Sequence, residues 1–190
     1  MAKKNQFKPD KPYSGFWGKL LLTRLQQRHL LKWALYALVL VMLSVVQDVL
    51  LCRVRIFGAS TDLVPCGIFL ICVLEGMERG SVFAFVSSLI YLFSGTSPGI
   101  YVVVLVTALA VLVTWFRVCY LQRGFGAAML CTAAAILLYE VGVYAVSTFL
   151  GQSQLSWLGS FCLTALMTVP FAPVLYPVVK AIGGEDTWKE

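Results

Sequence analysis

Between Leu30 and Val179 the chain is a series of apolar blocks separated by short polar breaks. A helix rises about 1.5 Å per residue, so about 20 apolar residues cross the hydrocarbon core of a bilayer. Leu30–Leu51, Ile100–Phe116, Gly126–Leu150 and Leu155–Val179 reach or approach that length. Leu63–Leu74 and Ser81–Phe93 are shorter, about a dozen residues each. Backbone polar groups in lipid must be satisfied within the segment, which selects helices. The pattern predicts an all-α polytopic membrane protein with about six transmembrane helices in one bundle. The bundle occupies residues 30–182, after a basic segment (1–29) and before a short tail (183–190). Composition agrees: 59% of the 190 residues are hydrophobic, against about half in soluble domains.

The two short blocks are joined by Glu75-Gly-Met-Glu-Arg-Gly80. A re-entrant hairpin would carry Glu75, Glu78 and Arg79 into the membrane, at a cost of at least ~2.5–3.5 kcal/mol for each charge. Full spanning places all three at a water-facing turn, and is the reading adopted. Local thinning of the bilayer would accommodate the short spans.

Orientation follows from charge. With the amino terminus inside, Lys3, Lys4, Lys8, Lys11, Lys19, Arg24, Arg28, Lys32, Arg79, Arg117, Arg123, Lys180 and Lys189 are internal, and only Arg53 and Arg55 are external. This positive-inside bias predicts two cytoplasmic termini. A basic block beside a span sets orientation and meets anionic lipid, so no nucleic-acid partner is inferred. The first span reads as a retained anchor, since no small-residue cleavage site follows it. Ser14–Arg28 suits either an interfacial helix or a solvated lead-in. Tyr91, Tyr101 and Trp157 are placed by the pattern at outer membrane boundaries. The six cysteines form no Cys-x-x-Cys pair and read as small hydrophobes.

Candidate residues are few. Glu140 lies near the middle of the fifth span, where a carboxylate faces protein or trapped water. Ala133, Ile136, Leu137, Val143, Tyr144 and Ser147 share its side. Two readings stand: a proton or substrate site, or a neutral acid hydrogen-bonded across helices to Gln47, Thr107 or Thr114. Gln47 and Asp48 close the first span, with Arg53 or Arg55 as ion-pair partners for Asp48. Asp62 precedes Leu63-Val-Pro65 and reads as a helix cap. Small residues, among them Ala134 and Gly142, offer a close-packing face to a partner helix. Pro170, Pro173 and Pro177 predict a kinked sixth span. There is no phosphate-binding glycine loop, nucleophile elbow, His-Glu-x-x-His or paired intramembrane aspartates. The expectation is a protein that is not an enzyme and uses no cofactor or metal.

Several features occur together: Gln47 at the end of span one, Gly58-x-x-x-Asp62-Leu63 before span two, the charged turn Glu75–Gly80, Pro98-Gly99 before span four, and Arg117 and Arg123 after it. In these the chain resembles the bacterial rod shape-determining MreD family. Thr61 stands before Asp62 where that family tends to have proline, and Ser87–Tyr91 lacks an acid often found there. The resemblance implies a non-enzymatic scaffold of the cell-elongation machinery in the bacterial inner membrane. Its implied partners are a single-span MreC-like protein, the MreB filament and lateral-wall peptidoglycan synthases. The implied bundle is similar to the S-components of energy-coupling-factor transporters, which supplies an alternative: a vitamin-binding subunit. S-components dock through Ala-x-x-x-Ala on the first helix, whereas Ala34 and Ala37 have a different spacing. A third reading, a free-standing small transporter or ion pathway, rests on Glu140 alone.

Overall fold

The second apolar segment, Leu-Val-Pro-Cys-Gly-Ile-Phe-Leu-Ile-Cys-Val-Leu, has no polar side, and a helix apolar all round belongs inside a protein. In the computed structural model it is the centre of the molecule. The structure describes residues 24–49, 51, 61–95, 97–121, 124–151 and 157–183. Seven helices are found among them: α1 (Arg24–Val49), α2 (Leu63–Glu75), α3 (Met77–Phe93), α4 (Tyr101–Tyr120), α5 (Phe125–Phe149), α6 (Leu158–Thr168) and α7 (Phe171–Gly183). Every residue of α2 from Leu63 to Val73 is buried. It packs on α1, α3, α4, α5 and α7.

This placement bears on the length of α2. Its 13 residues make a helix of about 20 Å, short of the roughly 30 Å hydrocarbon core. A helix sheathed by its neighbours does not have to match the bilayer. Among the described residues, α1 from Leu30, α4 and α5 are long and apolar enough to cross a membrane. The α6–α7 pair passes the same test as one segment bent by 44°. The bend falls at Val169-Pro170, where proline has no N–H to continue the ladder. Pro173 sits in the first turn of α7 and Pro177 lies inside it.

The turn between α2 and α3 is tighter than expected. Helix α3 begins at Met77, four residues before the predicted start, and takes Glu78 and Arg79 into its first turn. Gly76 alone makes the turn, at φ 91°, in the region that favours glycine. Gly80 then lies against α2: a Cβ there would come within 3.0 Å of the Cys72 Cα and carbonyl oxygen. The Cys72 thiol donates to the Gly80 carbonyl at 3.1 Å.

Glu75 corrects the sequence reading. It does not face water with Glu78 and Arg79, because its side chain folds back and is only 1% exposed. Glu75 Oε1 lies 2.7 Å from Lys32 Nζ and accepts a hydrogen bond from Tyr36 Oη at 2.6 Å. Both partners belong to α1. The rings of Trp33, Tyr36 and Phe83 pack against one another, with centroids 5.4–6.0 Å apart.

The interfacial-helix reading of Ser14–Arg28 falls mostly outside the described residues, as do Arg53, Arg55, Gly58–Ser60, Arg123 and the tail from 184. Cys66, Cys72 and Cys131 are buried as expected, but Cys119 and Cys162 are exposed.

Candidate functional site

The first N–H groups of a helix have no partner within it and need one from elsewhere. Asp62 occupies the cap position of α2, yet its side chain makes no capping hydrogen bond. The capping role expected of it is supplied by other helices. Gln47 Oε1, on α1, accepts the Val64 N–H at 3.1 Å. Thr168 Oγ1, at the end of α6, accepts the Asp62 N–H at 3.1 Å and donates to the Thr164 carbonyl at 2.7 Å. The Gln47 amide also donates to Asp62 Oδ1 at 3.0 Å. One glutamine thus holds both the backbone and the carboxylate at the head of α2.

Further polar side chains lie close to this cap. Tyr91 on α3 is within electrostatic reach of Asp62, Gln47, Tyr139 and Glu140, and Glu140 is within reach of Asp62. The fold therefore brings together Gln47, Asp62 and Glu140, which the sequence offered as separate candidates. Glu140 is 3% exposed. Its Oε1 has no hydrogen-bond partner among the described residues, and neither have the hydroxyls of Thr61, Tyr91, Tyr139 and Tyr144. None of the three partners expected for Glu140 takes it up. Gln47 is committed to Asp62 and Val64, Thr107 donates to the Val103 carbonyl at 2.7 Å, and Thr114 Oγ1 is unpartnered.

The inward face of α5 is close to the predicted one. Ile136, Val143, Tyr144 and Ser147 are buried with Glu140. Leu137 is exposed instead, and Tyr139 takes its place inside. Ser147 Oγ lies 3.1 Å from Tyr101 Oη on α4. Tyr144 faces α6, with its ring 5.5 Å from Phe161. A small cavity of about 20 Å³ between α5 and α6 is lined by Glu140, Tyr144, Phe161 and Ala165, among others. That is room for about one water.

The other candidates lie apart. Asp48 is exposed on α1, while Gln47 one residue before it points inward. Ala134 is half-buried on α5. Gly142 is covered within the chain: a Cβ there would come within 2.6 Å of Leu105 Cδ1 on α4. Sequence reasoning missed Tyr91, Tyr139 and Thr168. The pattern places Tyr91 at a membrane boundary, but it is 1% exposed. The signal for it was helical spacing, since Ala84, Ser87, Ser88 and Tyr91 make one small and polar face on α3.

Carboxyl, amide and phenol groups in an apolar surround can order helices, hold a proton or receive a polar ligand. No group of three or more metal-ligating side chains is found among the described residues. Searches of protein-family models, curated proteins and solved structures found no match to this chain.

Proposed function

We propose that the chain is a six-span scaffold of the bacterial inner membrane that acts by binding other membrane proteins, in the manner of the MreD family it resembles. In this reading α1 to α5 each cross the membrane, and α6 with α7 forms one broken crossing. Both termini lie in the cytoplasm. The polar clamps support antiparallel α1 and α2: Lys32 and Tyr36 meet the last residue of α2, whereas Gln47 meets its start.

The observation that carries the binding role is the free face of α1. Leu31, Leu35, Leu38, Met42, Val45 and Val49 are all exposed. Their spacing alternates four and three, the repeat with which one helix packs along another. Such a stripe fits a single-span partner, the class to which an MreC-like protein belongs. The MreB filament and the wall synthases join directly or through that partner. Gly142, already packed against α4, serves the bundle's own assembly.

The test is a gentle detergent pull-down of the full chain from native membranes, with partners identified by mass spectrometry. The scaffold reading expects a single-span coiled-coil protein and wall synthases. The pair Leu38→Ala and Met42→Ala should lower their recovery several-fold while the protein still inserts.

A second reading, the S-component of an energy-coupling-factor transporter, is favoured by one observation. The unpartnered Tyr91, Tyr139 and Glu140 groups beside Asp62 are what a bound polar molecule would satisfy. Recovery of an integral coupling protein with two ATPases would establish that reading and displace the first.

A further inference from the structure

Helices α1 and α3 touch at the Trp33–Phe83 end and leave a lateral groove of about 530 Å³ between them. Ala37, Leu40, Val41, Val82, Val86 and Ile90 make its apolar walls. Glu78 and Arg79 line its mouth, side by side in the first turn of α3. Among the described residues neither side chain has an ion pair or hydrogen bond, and both are exposed. The neighbouring Glu75 is already held by Lys32 and Tyr36. Among the described residues the mouth therefore offers a cation and an anion without partners.

The groove has the length of a lipid chain. From Arg79 to Ile90 along α3 is about 17 Å of helix. One leaflet of hydrocarbon is about 15 Å, half of a roughly 30 Å core. Charges at one end and apolar walls beyond match a phospholipid with its headgroup at the mouth. An anionic headgroup would meet Glu78 unfavourably. A headgroup with both a phosphate and a primary amine would satisfy both residues, the phosphate at Arg79 and the ammonium N–H donors at Glu78.

The geometry points to a structural lipid site between α1 and α3 for an aminophospholipid such as phosphatidylethanolamine, with one acyl chain in the groove. The site rests on the membrane setting alone and stands or falls independently of the scaffold role.

The full chain is equilibrated in mixed micelles with equal amounts of dioleoyl phosphatidylethanolamine, phosphatidylglycerol and phosphatidylcholine. Retained lipid is then read by native mass spectrometry. The ethanolamine lipid should be retained over the other two. Arg79→Gln should lower retention of all three about tenfold, the loss of one charge-assisted contact. Glu78→Gln should reduce the preference for ethanolamine over glycerol headgroups about threefold. Val86→Trp, which fills the groove from an exposed position, should abolish retention whatever the headgroup. Preference for phosphatidylglycerol, retention unchanged in the Val86 variant, or a groove occupied by a second copy or another protein's helix would each overturn the assignment.

Discussion

Gln47 shows how much one side chain can settle in an apolar bundle. Its amide is a donor to Asp62 and an acceptor from Val64, so it ties the end of α1 to the head of α2. Replacing it with alanine removes the cap and leaves the part-buried Asp62 carboxyl without its partner. The expected cost is about 1–3 kcal/mol, read as a lowered Tm in detergent. Asp48→Ala, one residue on but exposed, should leave Tm unchanged. The contrast was not legible in the sequence, where both residues simply closed an apolar block. Glu140 was legible as an oddity, because a lone acid in a long apolar block stands out. Its neighbours were not, since Asp62 is 78 positions away and only the fold brings it close. If Glu140 is a neutral acid that orders the helices, Glu140→Gln should keep both Tm and partner recovery near wild type. Loss of function with the fold intact would mean that the acid has to ionise.

At the scale of elements, the sequence predicted six apolar segments and the hairpin of α2 and α3. It did not reveal that α2 is the central element. Length argued for a marginal span, and only uniform apolarity hinted at burial on every side. The position of Glu75 was equally hidden. A charged residue beside Gly76 reads as a turn facing water, but Lys32 and Tyr36 on α1 draw it inward. Glu75→Gln would leave the largely buried Lys32 without its counter-charge and should cost about 3 kcal/mol. Gly80→Val would push α3 away from the α2 backbone, where no flexible side chain can yield. We expect that substitution to cost about 1–3 kcal/mol, with Tm as the readout.

For the whole molecule, the structure divides labour between an interior and a free exterior. The interior is α2 with its polar clamps at both ends. Along α1 the two clamps, at Tyr36 and Gln47, are about 16 Å apart, less than the roughly 30 Å thickness of a hydrocarbon core. The surrounding helices keep these groups from lipid, which explains how a membrane bundle tolerates them. The exterior carries the exposed stripe of α1 and the groove between α1 and α3. Neither surface was legible in the sequence, because an apolar helix in sequence does not say which side its own bundle covers.

The claim on which this account depends is that α2 is shielded by the other helices, and native cysteines report on it directly. Cys66 and Cys72 lie on α2, while Cys119 and Cys162 lie on exposed faces. The full chain in mild detergent should be treated with a membrane-soluble maleimide, and labelling followed at each cysteine by peptide mass spectrometry. The account predicts modification of Cys119 and Cys162, with Cys66 and Cys72 protected until the protein is denatured. Labelling of Cys66 and Cys72 as fast as Cys162 would contradict it.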